Sequence, residues 1–320
     1  MLTDITDEHS KGLKPSISAT PTITWRSAAT GAVGAIIAHC IARISSKAAL
    51  TFVSWWTRQH ILHPRWIGSA PVTRLAFTQF GVFKCDLRDY VQSQLFLTGQ
   101  WEPTVGNTIT KLLRPGDVFI DVGANIGYLS LVGAKAVDAN GLVLAFEPLL
   151  ENVALLIENI KTNHVQNVVV ISIACDTVVG VTKIYHGPFW SVGQSSIRPV
   201  SESSTIVWSA PLDTLIAGDI SGRVRLVKID VEGAEWNVLR GMTAILRQPS
   251  PPCVICEITE GFLRESNQSA KGLIDFMRDL NYCLYIAPCQ GAEEWTECKE
   301  IPQYQFDALF VPRGFQLPRF

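Results

Sequence analysis

Downstream of residue 71 the chain alternates short, continuously apolar runs with glycine turns and amphipathic stretches. The runs fall at residues 118–122, 142–146, 168–173, 224–230 and 254–258. The first is apolar at successive positions apart from Asp121, the pattern of a strand covered on both faces, as in a parallel sheet, and 224–230 carries Arg225 and Lys228 among its apolar residues. Helical stretches separate them: 128–137, a segment running to about 159, 234–246, and 270–280. Two more runs, 283–287 and 306–311, close the sheet across a long connection, 290–305. The alternation predicts one α/β sandwich with an amino-terminal extension.

Upstream, Leu75, Phe77 and Gln79, then Val82, Phe83 and Cys85, predict a hairpin around Gly81. Helices follow at 87–97 and 105–113, separated by a Trp101-Glu102-Pro103 turn and stopped by Arg114-Pro115-Gly116. These elements read as a layer over the opening of the next domain. Three regions result: 1–70, a tail and apolar helical segment; 71–115, a covering hairpin and helices; and 116–320, the main domain. Within the last, 181–185 reads as a separate strand or hairpin arm, 186–196 as a long loop, and 212–215 as a short helix.

The first region divides again. Residues 1–24 are polar, and Asp4, Asp7 and Glu8 oppose a cleaved or transit signal. Residues 28–56 are apolar, but the longest clean stretch is only 31–38, too short for a conventional membrane span. His39, Arg43 and Lys47 recur every four residues, with Ile37, Ile41, Ile44 and Ala48 on roughly the other side of a helix. Such a helix packs against the domain or a partner, or lies on a membrane with Trp55 and Trp56 at the interface. The expected location is cytoplasmic, with peripheral membrane attachment through 28–56 as the alternative to simple packing.

Composition narrows the partners. Among 320 residues, 27 Lys and Arg face 29 Asp and Glu for a net charge of −2, so no nucleic-acid partner is expected. Eight cysteines do not make a disulfide scaffold in a chain of this length. Cys253 and Cys256 form a lone CxxC within an apolar run; on a strand that spacing sends them to opposite faces, so they read as buried core residues. No tight His and Cys cluster appears, and no metal ligands are assigned.

The chemistry is concentrated at strand ends. Asp121-Val122-Gly123-Ala124-Asn125-Ile126-Gly127 places a glycine turn between a strand and a helix, where backbone N–H groups can approach a ligand. Glu147 ends the next strand 26 positions after Asp121, where an acid can accept both hydroxyls of a nucleotide ribose. The turn is GxNxG rather than GxGxxG, which favours a nucleoside cofactor without pyrophosphate. Asp230 and Glu232 emerge at a second strand–turn–helix junction, preceded by Lys228, a contact for either an internal acid or substrate, and followed by Glu235, a stabiliser of the turn or helix.

Three spaced motifs resemble the FkbM-type methyltransferases. They are residues 116–128; Ala145-Phe146-Glu147-Pro148 with Asn152 and Asn159; and Lys228-Ile229-Asp230-Val231-Glu232-Gly233-Ala234-Glu235 with Val238, Leu239 and Gly241. The similarity spans about 75–311 and leaves residues 1–70 outside it. It implies a Rossmann-like seven-stranded sheet of order 3-2-1-4-5-7-6 with helices on both faces, and S-adenosyl-L-methionine as cofactor. On it, Asp121, Gly123, Asn125 and Gly127 surround the amino-acid and ribose portions of the cofactor, Glu147 accepts the ribose hydroxyls, and Asp176 approaches the adenine. Asp230, Glu232 or the loop residue His186 then takes the acceptor's proton. The implied reaction is methyl transfer to a hydroxyl oxygen of a small molecule, sugar or lipid-linked acceptor. Transfer to nitrogen on the same platform and a nonenzymatic or membrane-associated scaffold are the alternatives.

Overall fold

The computed structural model describes residues 72–187, 195–199, 201–216, 218–288, 295–298, 301–302 and 305–318. The expected tail and the apolar segment 28–56 lie outside the described residues, as do positions 188–194 of the expected loop.

Strands β1 (Thr73–Thr78) and β2 (Gly81–Asp86) form the expected antiparallel hairpin. Helix α1 (Tyr90–Thr98) begins where the Asp89 carboxylate accepts from the Gln92 N–H at 3.0 Å, and α2 (Pro103–Leu112) starts on Pro103. The central alternation follows: β3 (Val118–Val122), α3 (Tyr128–Val137), β4 (Leu142–Phe146), α4 (Leu150–Thr162), β5 (Val168–Ile171) and the two-residue β6 (Ala174–Cys175). A hairpin of β7 (Gly180–Tyr185) and β8 (Ser204–Ala210) leads to a short α5 (Leu212–Leu215). The second half holds β9 (Val224–Ile229), α6 (Glu235–Gly241), α7 (Thr243–Leu246), β10 (Cys253–Ile258), α8 (Glu260–Glu265), α9 (Ala270–Asp279), β11 (Tyr282–Pro288), β12 (Thr296–Glu297) and β13 (Phe306–Pro312).

The main sheet has the order β12-β11-β13-β10-β9-β3-β4-β5. Strands β5, β4, β3, β9 and β10 run parallel, and β13 is antiparallel to both β10 and β11. The expected count of seven is corrected to eight, because the short β12 adds to the outer edge of β11. A second departure is a separate three-stranded sheet, β6-β8-β7. The fold class is nonetheless the α/β Rossmann-like one, with core clusters on both faces of the main sheet.

Those two clusters explain why the central strands carry no alternation. Ile120, Val122 and Cys256 pack into one cluster, while Phe119, Cys253 and Ile255 pack into the other. Cys253 and Cys256 are each 0 % exposed and lie on opposite sides of β10, in accord with a core role. Burying both faces of a strand removes roughly twice the apolar area per residue, at about 25 cal/mol per Å².

The covering hairpin is tied to the sandwich through side-chain amides of α4. The Asn163 amide both accepts from the Val82 N–H and donates to the Val82 carbonyl, each at 2.7 Å. One turn earlier, Asn159 accepts from the Lys84 N–H at 2.8 Å and donates to the Ile126 carbonyl at 2.9 Å. Helix α4 thus satisfies part of the open edge of β2 and, through Ile126, the glycine turn as well.

Candidate active site

At the carboxyl ends of β3, β4 and β9, where an open parallel sheet collects its ligands, lies a cavity of about 430 Å³. Its near wall is the β3–α3 turn. Gly123 has φ 80°, and a Cβ there would stand 1.9 Å from the Asp230 carbonyl oxygen. Only glycine allows the β3 and β9 turns to interlock this closely. Gly127, φ 90°, is constrained differently: a Cβ would meet Leu156 of α4 at 2.2 Å. It is not among the described residues that line the cavity and stands at the start of α3 against Leu156.

Glu147 at the end of β4 holds the turn open. Its Oε2 accepts from the Asn125 N–H at 2.9 Å, and its Oε1 accepts from the Leu149 N–H at 3.0 Å and the Asn152 amide at 3.2 Å. A carboxylate offers about four acceptor positions, so a ligand hydroxyl can still be taken at Oε2. Burial pushes this carboxyl up to about 7 against those three donors. Asp121 is 1 % exposed; its Oδ2 accepts from the Ser130 hydroxyl at 2.6 Å, and its Oδ1 carries no hydrogen bond. The side-chain oxygen of Asn125 is buried without a partner as well. Both residues line the cavity, which leaves two acceptors in want of donors.

The adjoining wall is the β9–α6 turn. Asp230 lines the cavity with its carboxylate 3.2 Å from the Lys228 ammonium, which is itself 6 % exposed. Burial works against that ammonium, but the charges of Asp230, Asp121 and Glu102 outweigh it and hold Lys228 above the ordinary lysine range. Lys228 is therefore an internal ion-pair partner that also lines the cavity. Glu232 follows in the left-handed conformation, φ 53°, uncommon for a side chain of its size. The Ser196 hydroxyl and the Arg198 Nε, the latter at 3.2 Å, both donate to the Glu232 carbonyl. Arg198 is fixed in turn over the Phe262 ring, 3.5 Å from its centroid, and 2.9 Å from Glu265. Glu232 lines the cavity, and burial, with the charges of Asp230 and Glu235, raises its carboxyl to about 8. Behind the turn, Glu235 accepts from the Gly233 N–H at 2.9 Å, the expected stabilising role.

Asp176 lines the cavity beside Ile173 and Ala174. Its carbonyl passes so close to α6 that a Cβ on Gly241 would stand 2.1 Å from it. His186 is not brought in. Its ring lies 2.7 Å from the Thr205 hydroxyl and 3.3 Å from Glu151, and it is not among the described residues that line the cavity. Ser195, Ser196 and Ile197 line the cavity from the end of the same loop.

Three further acids, Glu102 at the start of α2, Glu257 near the end of β10 and Asp307 on β13, all line the cavity. The sequence motifs assign no role to Glu257, Glu102 or Asp307, although Glu257 stands next to the end of its apolar run. The available signal for Glu102 was a polar residue set before Pro103, where the chain must leave the α region; here it takes φ 45°.

No curated protein matches the chain. The solved structures similar to it include the precorrin-6y C5,15-methyltransferase of Geobacter metallireducens, 14% identical, covering 64% of this chain and 86% of that one at a TM-score of 0.38. A putative rRNA methylase of Clostridium thermocellum is 10% identical over 65% and 93% at 0.41, and a putative methyltransferase of Streptococcus mutans, in complex with SAH, is 10% identical over 65% and 95% at 0.38. The family model of the methyltransferase FkbM domain matches residues 121–284, just over half of the chain and the whole stretch from Asp121 through the second glycine turn to β11. The chain belongs to the FkbM methyltransferase family.

Proposed function

We propose that the enzyme methylates a hydroxyl oxygen of a small-molecule, sugar or lipid-linked acceptor, and that Glu232 takes the acceptor's proton. The observation that carries this reading is that one cavity carries two chemistries side by side. The glycine turn, Glu147 and the unpartnered Asp121 and Asn125 oxygens line it together with the carboxylates at the ends of β9 and β10.

The turn, Glu147, Asp121 and Asn125 fit the methyl donor. Two buried acceptor oxygens without donors match an ammonium and a hydroxyl, and the remaining lone pair on Glu147 matches a ribose hydroxyl. Asp176, Ile173 and Ala174 provide a wall for the adenine. When bound, S-adenosyl-L-methionine supplies an electrophilic methyl group on a sulfonium. Transfer of that group is an in-line displacement, so the protein acts by positioning, desolvation and removal of one proton.

An alcohol is a poor nucleophile until its proton leaves during attack. Asp230 is already engaged with Lys228 at 3.2 Å, whereas Glu232 combines a place on the cavity wall with a carboxyl raised to about 8, suited to accepting a proton near neutral pH. The proton passes from the acceptor oxygen to Glu232 as the new oxygen–carbon bond forms. Nitrogen as acceptor is the second reading, favoured by the same acids, which would also attract a cationic amine. Incubation with labelled methyl donor and a fractionated extract, followed by mass identification of the product, tests both. An O-methyl product supports the proposal. An N-methyl product, or no labelled product from protein that binds the donor, rejects it.

A further inference from the structure

The turn that carries Glu232 is held from outside its own strand and helix. Glu232 and Gly233 take φ 53° and φ 109° in succession, and a glutamate keeps such a backbone only where its surroundings impose it. Here the segment 195–199 imposes it. The Ser196 hydroxyl donates to the Glu232 carbonyl, and so does Arg198 Nε at 3.2 Å. The Ser196 oxygen in turn accepts from the Arg198 backbone N–H at 3.1 Å and from Arg198 Nε at 3.2 Å. Three groups thus form one closed cluster around a single carbonyl.

Arg198 is fixed on its other side by α8. It is 8 % exposed, its guanidinium stands 3.5 Å from the Phe262 ring centroid, and its Nη1 donates to Glu265 at 2.9 Å. Glu265 is 55% exposed, so the ion pair alone contributes little. The stem of Arg198 crosses Gly233 closely enough that a Cβ there would stand 3.0 Å from Arg198 Cδ. A planar fork of donors serves the carbonyl and Glu265 in fixed directions at once, which a single ammonium does not. The same segment faces the cavity, since Ser195, Ser196 and Ile197 line it together with Glu232.

We propose that Arg198 is a positioning residue for methyl transfer: by clamping the Glu232 carbonyl it fixes where the Glu232 carboxyl stands on the cavity wall. Its consequence for rate rests on the reading of Glu232 as proton acceptor; its consequence for the placement of the carboxyl does not. The charges of Asp230, Glu235, Arg198 and Lys228 act on that carboxyl, and burial is the largest influence, holding it near 8. Release of the turn lets the carboxyl reach water and lowers it, whereas loss of the Arg198 charge alone raises it.

These opposite signs make titration the test. It uses carbon NMR of the full-length protein with glutamate labelled at the side-chain carboxyl, Glu232 being the resonance absent from Glu232→Gln. Wild type is expected to titrate near 8. Arg198→Met keeps the stem without a donor, and Arg198→Lys keeps the charge without the fork. Each is expected to titrate at least about 1 pH unit below wild type, with S-adenosylhomocysteine affinity within about 3-fold. A midpoint in either folded variant that stays at the wild-type value or rises overturns the proposal. A larger loss of affinity does the same, because Arg198 would then support the whole cavity. The wild-type titration needs no variant of Arg198 to fold: a midpoint at the ordinary 4.5 would leave no buried placement to hold, and also overturns it. Once an acceptor is identified, Arg198→Lys should lower the single-turnover rate about 10-fold or more. A wild-type rate in Glu232→Gln would remove the proton-acceptor reading alone and leave the placement standing.

Discussion

Glu147 and Glu232 carry the sharpest residue-level consequences. Glu147→Gln keeps the size of the side chain but sets an amide N–H against one of the donors now served by Oε1 and Oε2. The loss of one charge-assisted contact, about 1.5–3 kcal/mol, weakens donor affinity roughly 10- to 150-fold. Calorimetry with S-adenosylhomocysteine measures it, and unchanged affinity in a folded variant contradicts the assignment. For Glu232, whose carboxyl sits near 8, only the ionised form accepts a proton. Single-turnover rate with an identified acceptor therefore rises with pH up to about 8 and then levels. Glu232→Gln lowers the rate about 10²- to 10⁴-fold, abolishes that rise and leaves donor affinity nearly constant. A variant with the wild-type pH profile would move the proton elsewhere.

Which residues were readable follows from where their positions come from. Glu147, Asp230 and Glu232 stand at or just past the ends of β4 and β9, and strand ends are where such a sheet exposes its chemistry. Glu102 and Asp307 reach the same cavity from the covering layer and from the antiparallel β13, which only tertiary structure brings there. Gly127 is expected at the cofactor from the resemblance and His186 near the acceptor from its place on a loop, while their neighbours in space, Leu156 and Glu151, are visible only in the fold.

Elements with two buried faces were the most legible: β3, α3 and β4 have the bounds that their apolar runs indicate. Strand β8 was not foreseen, because its apolar residues Ile206 and Trp208 are 69% and 66% exposed and its buried residues are the small Ser209 and Ala210 at its end, which leave little apolar pattern to register. The helix expected over 234–246 is instead divided, with Met242 at φ −122° between α6 and α7, next to the close approach of the Asp176 carbonyl to Gly241. Hydrogen bonding, not periodicity, joins the elements. Asn159→Leu strands the Lys84 N–H and the Ile126 carbonyl, and should cost about 2–5 kcal/mol in denaturant unfolding. A cost below about 1 kcal/mol would show that water replaces both bonds. Glu235 sets a pH dependence. Burial raises its folded carboxyl from 4.5 to about 7, so the folded state holds the extra proton between those values. This contribution to stability is complete below about 4.5 and is lost as pH rises through about 7. Glu235→Gln should gain in melting temperature relative to wild type between pH 5 and pH 8, whereas parallel profiles would contradict the linkage.

At the scale of the whole molecule, the described residues contain no helix long and apolar enough to cross a membrane. The β7–β8 hairpin turns Thr182 and Ile184 toward the cavity, while Val181, Ile206 and Trp208 are exposed. If the segment 28–56 provides surface attachment, deletion of residues 1–70 reduces sedimentation with anionic vesicles and leaves S-adenosylhomocysteine affinity within about 2-fold. Equal sedimentation of the two forms would assign that segment to packing instead. The central claim, methyl transfer at the cavity where β3, β4 and β9 end, is tested most directly by a crystal structure with S-adenosylhomocysteine in excess. The account predicts the ribose hydroxyls at Glu147, the amino group at Asp121, and the sulfur facing the Asp230–Glu232 turn. A nucleoside bound elsewhere, or a cavity without one at saturating ligand, would contradict it.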